Sequence, residues 1–149
     1  MWKLKSDDST IRWREFRKSL DLLSLDDAVQ ATDDFWRECP YSPYYLDPKK
    51  PATWPDPWQL ISENYYCDVA KTLGIVYTIY FTRHGQELDP EIRVYNDPVT
   101  GYMYNLAFLA QGKYVLNFKD NEIVNNEQID KNLTLQYRYT TEELKLNEY

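Results

Sequence analysis

The chain has 149 residues, with 24 acidic against 17 basic side chains, a net charge of −7 and 43% hydrophobic content. That length can bury one core without metals or disulfides, and that apolar share excludes an intrinsically disordered polymer. The acidic balance argues against nucleic acid as a direct partner, no apolar run resembles a signal peptide or a membrane span, and the two cysteines, Cys39 and Cys67, read as reduced thiols of a protein made and kept in cytoplasm.

Residues 9–23 read as a first helix, capped by Ser9 or Thr10, with Trp13, Phe16 and Leu20 recurring at helical spacing. Ser24-Leu25-Asp26-Asp27 resembles a capping box and opens a second helix, with Leu25, Val29, Thr32 and Trp36 on one stripe and Pro40 beyond its end. Charge divides across this helical part, residues 1–38. Lys3, Lys5, Arg12, Arg14, Arg17 and Lys18 make its start basic, and Asp21, Asp26, Asp27, Asp33 and Asp34 make the next stretch acidic. Such an asymmetry orients an assembly contact or simply forms a solvated helix surface.

Residues 39–57 form a proline-rich arm, which with Trp58 holds six of the eight prolines together with Tyr41, Tyr44, Tyr45, Trp54 and Trp58. Proline fixes φ and removes a donor, so this segment is neither a helix interior nor a central strand. Aromatics at this density predict a contact, and those five side chains are the candidate interface. They could instead stack on sugar rings beside Asp47 and Asp56, although the prolines make a strap rather than an open platform.

The remaining residues, 58–149, read as a helix plus a β-sheet. Asp56 and Pro57 suit the N-cap and first position of a third helix, whose stripe is Trp58, Ile61, Tyr65, Val69 and Leu73, with Gly74 as its left-handed cap. This puts Cys67 mid-helix, opposite that stripe, on a face with Leu60, Asn64 and Lys71. Residues 75–82 are almost wholly β-branched or aromatic and read as a strand covered on both faces. Strands follow at 91–96, 102–110, 113–118 and 133–139, with a turn at 97–101, a tight turn at Gln111-Gly112, and a polar loop over 120–132. Residues 141–144 end the chain as a short helix or loose tail. The expected class is α+β: N-terminal helices and the arm packed on a mostly antiparallel sheet, in a single domain.

Motifs with chemistry are few. One histidine and two distant cysteines give no zinc spacing, and the oxygen-rich 120–127 stretch lacks the regular spacing and glycine of a calcium loop. No glycine-rich phosphate loop is present, so no cofactor is expected. Cys67 is the candidate nucleophile and His84 the candidate base, provided the fold brings them within hydrogen-bond reach. Cys67-Asp68-Val69-Ala70 ahead of Leu73-Gly74-Ile75 resembles the cysteine helix and following strand of transglutaminase-like proteins. In that family the cysteine begins the helix, and a histidine on the next strand and then an aspartate complete the site. Here the strand from Tyr102 to Leu109 carries no histidine, and Asn105 is its nearest polar counterpart.

A longer resemblance spans residues 13 to about 82. Trp13-Arg14-Glu15-Phe16-Arg17, Phe35-Trp36, Trp54-Pro55-Asp56-Pro57-Trp58-Gln59-Leu60-Ile61 and Leu73-Gly74-Ile75-Val76-Tyr77-Thr78 are similar to segments of small proteins encoded by large tailed bacteriophages, marine ones especially. That resemblance implies a non-enzymatic structural component of the virion, in its tail, baseplate, neck or capsid. The partners it implies are other virion proteins, in an oligomer or hetero-assembly. A cysteine-dependent acyl transferase or amidase using Cys67, and a glycan-binding module for host recognition, are the alternatives.

Overall fold

A computed structural model describes residues 1–43 and 45–149, with the backbone alone described for Ser6. Among the described residues there are five α-helices and one five-stranded antiparallel sheet. None of the helices is long and apolar enough to cross a membrane. The α+β class expected from the order of elements is the observed one.

Helix α1 covers Ser6–Leu20 and α2 covers Leu25–Arg37, where the Ser24 hydroxyl accepts from the Asp27 backbone N–H as a Ser N-cap should. α3 covers Pro57–Ser62 behind a complete Asp56–Gln59 capping box. There the expected long helix stops. Asn64 adopts left-handed φ of 60°, its amide donates to the Leu4 carbonyl at 2.9 Å, and Tyr66 pairs in parallel with Tyr41 of the arm.

A new helix, α4, runs over Asp68–Tyr80 and includes most of the expected strand 75–82. Buried residues surround it on every side, so it shows no stripe, and burial overrides the β preference of its Ile, Val, Thr and Tyr residues. Gly74 is an interior residue and no cap: a Cβ there would meet three ring atoms of Trp36 at 2.2–2.6 Å. Glycine therefore lets α2 and α4 approach closely. At this crossing the Trp13 and Trp36 indoles both donate to the Thr78 hydroxyl at 3.0 Å, and that hydroxyl donates to the Gly74 carbonyl at 2.7 Å.

α5 (Gly85–Leu88) leads into the sheet, with β1 at Glu91–Asn96, β2 at Met103–Leu109, β3 at Tyr114–Lys119, β4 at Glu122–Val124 and β5 at Thr134–Tyr139. The spatial order is β4-β3-β2-β1-β5, with Arg93 opposite Leu106 and Phe108 opposite Val115. β4 lies inside the stretch expected to be loop. Ile92, Val94, Ala107, Leu109 and Leu116 join α4 in the main core. Leu106, Phe108, Val115 and Val124 form a second core under Ile129 and Leu133. The arm straps the domain: Tyr139 donates to the Pro48 carbonyl at 2.7 Å, Tyr77 donates to the Pro55 carbonyl at 2.8 Å, and Trp54 is buried edge-on against Tyr139.

Candidate functional site

Cys67 is the N-cap of α4, not a mid-helix residue, because the break at Asn64 starts the helix one residue after it. Its side chain is 1% exposed and belongs to the main core, rather than to a face shared with Lys71. His84 follows the far end of the same helix, whose 13 residues span about 20 Å at the usual rise. The histidine ring is already engaged. Its Nε2–H points at the Leu20 and Leu23 carbonyls, 3.2 and 3.0 Å away, and so holds the C-terminal end of α1. Arg83 beside it closes the same end, its backbone N–H donating to Asp21 at 2.8 Å and its guanidinium to the Leu23 carbonyl at 2.9 Å. The fold thus holds Cys67 and His84 apart.

A polar cluster sits beside Cys67. Asp68 accepts from the side-chain amides of Asn105 and Asn117, both at 3.0 Å. Thr72 donates to the Asn105 backbone carbonyl at 2.6 Å and lies 2.9 Å from the Asn117 amide. Asn117 reaches this face because its φ of 69° forms a bulge in β3, where the register with β4 shifts. The cluster ties the first turn of α4 to β2 and β3, and the Asp68 carboxylate suits the positive end of the helix dipole. A polar hollow of about 260 Å³ opens beside it, lined by Asp33, Arg37, Lys71, Asn117, Lys119 and Asp120 among others. Burial pushes the Cys39 thiol nearby up to about 11, against the opposing charge of Lys71. Among the described residues no group of three or more His, Cys, Asp or Glu side chains is placed to hold a metal.

The aromatic candidates divide. Trp54 turns inward, its indole donating to the Asp47 carbonyl at 2.8 Å, and serves the strap. Tyr44 lies outside the described residues. Tyr41 faces outward at 80% exposure, and Tyr45 is partly exposed with its hydroxyl donating to Glu63 at 2.7 Å. Two residues that sequence reasoning did not single out as interface join them. Tyr65, 54% exposed, meets the Tyr45 ring at 6.1 Å, and Tyr102, 56% exposed, meets Tyr104 at 4.7 Å. Burial first, and then the charges of Asp68, Tyr104 and Tyr41, raise the Tyr102 phenol above its ordinary pKa, which places Tyr41 and Asp68 in its neighbourhood. These tyrosines border the start of α4. The one advance signal was the excess of tyrosine, fourteen in all. Trp58 stands apart, 45% exposed, with its ring 6.2 Å from both Phe81 and Tyr149. The chain matches no protein-family model and no curated protein.

Proposed function

We propose that this chain is a non-enzymatic structural subunit that acts through protein–protein contacts, and that its place is in the particle of a tailed bacteriophage. The observation that carries the contact reading is the outward-facing tyrosine surface of Tyr41, Tyr45, Tyr65 and Tyr102. Tyrosine presents a large apolar ring at low entropic cost and keeps a hydroxyl for the wet rim, so it suits surfaces that become covered. The strap deepens this reading, because Trp54 and the middle prolines are held by the domain itself and leave the Tyr41 end of the arm for a neighbour. The virion placement rests on the resemblance over residues 13–82.

The test is a triple variant, Tyr41→Ser, Tyr65→Ser and Tyr102→Ser, followed into purified particles. Each change is at an exposed site and is expected to shift stability by no more than about 0.5 kcal/mol. Incorporation should fall by about tenfold or more. A folded triple variant that assembles like the parent would overturn the tyrosine contact. One observation favours the cysteine reading: Cys67 stands at the head of α4, as in the family it resembles. Burial of the thiol weighs against it.

A further inference from the structure

Arg17 on α1 lies with its guanidinium 4.1 Å from the centroid of the Trp13 ring and 5.8 Å from that of Phe81. Cation–π attraction replaces only part of the water a guanidinium loses in such a slot. Its ε nitrogen is buried without a hydrogen-bond partner, and none of the described carboxylates forms an ion pair with it. Asp21, one turn along, is held by the Arg83 backbone N–H. Burial, and after it the neighbouring charge of Arg14, lowers the Arg17 pKa from the ordinary arginine value, with Asp21 opposing. A half-buried cation with an unpaired ε nitrogen is a standing cost to the isolated fold.

The ε nitrogen itself is closed to solvent, but Arg17 as a whole is only half-buried, and its surroundings say what would offset the cost of its charge. Phe81 leads to Trp58, and Trp58 leads to Tyr149, each step 6.2 Å between ring centroids. Trp58 and Tyr149 are both nearly half exposed. Arginine, tryptophan and tyrosine are the residues that dominate binding at protein interfaces, and an arginine already stripped of part of its water pairs with a carboxylate more strongly than a solvated one. A carboxylate also matches the fork of the guanidinium.

We infer that Arg17, Trp58 and Tyr149 form a seat for a carboxylate-bearing segment of a protein partner, with the carboxylate on Arg17 and the aromatic rim closing over it. This rests on the reading of the chain as a contact-making subunit, and not on which particle it joins.

The test uses the full chain and a fluorescein-labelled hexaglutamate peptide, read by fluorescence anisotropy at low ionic strength. Arg17→Met is expected to weaken binding by about tenfold or more, as loss of a desolvated charge partner does. Arg14→Gln, which removes the same charge from an exposed site, is expected to change it by less than about threefold. Arg17→Met should also melt at or above the parent temperature, because methionine keeps the ring contact without the unpaired charge. The seat is overturned by any of three results: equal affinity in Arg17→Met, an equal loss in Arg14→Gln, or tighter binding of a labelled hexathymidylate than of the peptide. Equal affinity in Arg17→Met, in a chain still found in purified particles, would overturn the seat alone. Arg17-dependent binding by a chain missing from particles would overturn the virion placement alone.

Discussion

Thr78 satisfies three polar groups at once, since its hydroxyl accepts from the Trp13 and Trp36 indoles and donates to the Gly74 carbonyl. All of these side chains are fully buried. Thr78→Val keeps the shape and strands two indole N–H groups, so it should cost about 2–6 kcal/mol, taking about 1–3 for each buried orphan. Chemical denaturation measures this, and a loss under about 0.5 kcal/mol would mean that water replaces the hydroxyl. Cys67 allows a second prediction at this scale. A core thiol should react with iodoacetamide only as fast as the fold opens, so labelling should rise with mild denaturant. Rapid, selective labelling of the native chain would restore the cysteine-enzyme reading. Residue types were legible in the sequence here, but their partners were not. Thr78 looked like one strand residue among several, and nothing local says that two tryptophans from other helices converge on it. Cys67 was misplaced for a related reason: its role depends on the helix break at Asn64, which only packing against Leu4 and the arm reveals.

Helix α4 is where local preference and tertiary burial disagree most. A helix buried on all sides and a strand covered on both faces both read as a continuous apolar run, and Gly74 looks like punctuation in either case. The structure assigns Gly74 to the crossing with Trp36, which makes a prediction of the opposite sign to that from propensity. Gly74→Ala in an open helix would gain about 1 kcal/mol. Here overpacking against the indole should make it a net loss of about 1–3 kcal/mol. Trp36→Leu should relieve most of that loss in a double-mutant cycle, and additive losses would place the clash elsewhere. The arm gives a comparable contrast. Trp54→Ala removes a buried strap residue and should cost about 3–5 kcal/mol. Trp58→Ala, on the exposed rim, should stay within about 1 kcal/mol. Equal effects on melting would contradict the division of the arm into strap and contact. Capping chemistry was local enough to read at Ser24, at Asp56 with Pro57 and at the Asp97 to Gly101 turn, but not at α1, which begins at Ser6 behind Lys5 and leaves the expected caps Ser9 and Thr10 inside the helix.

At the scale of the molecule, α4 is an axis with a different surface at each end. The tyrosines border its start, beside Asp68, and the Arg17 seat lies by Phe81, which caps its other end. On the proposed reading these are two unlike contacts on one subunit. Such heterologous surfaces build rings or filaments rather than isolated pairs. The α+β class was legible because helical periodicity precedes strand alternation along the chain. The two surfaces were not, because each gathers residues distant in sequence: Tyr41 with Tyr102, and Arg17 with Trp58 and Tyr149.

The measurement that bears most directly on the proposed function is quantitative peptide mass spectrometry of purified phage particles, normalised to the major capsid protein. A fixed ratio that survives repeated banding is the expected result, and its value would indicate a ring, a spike or a shell. Peptides of this chain confined to the soluble fraction would contradict the structural role.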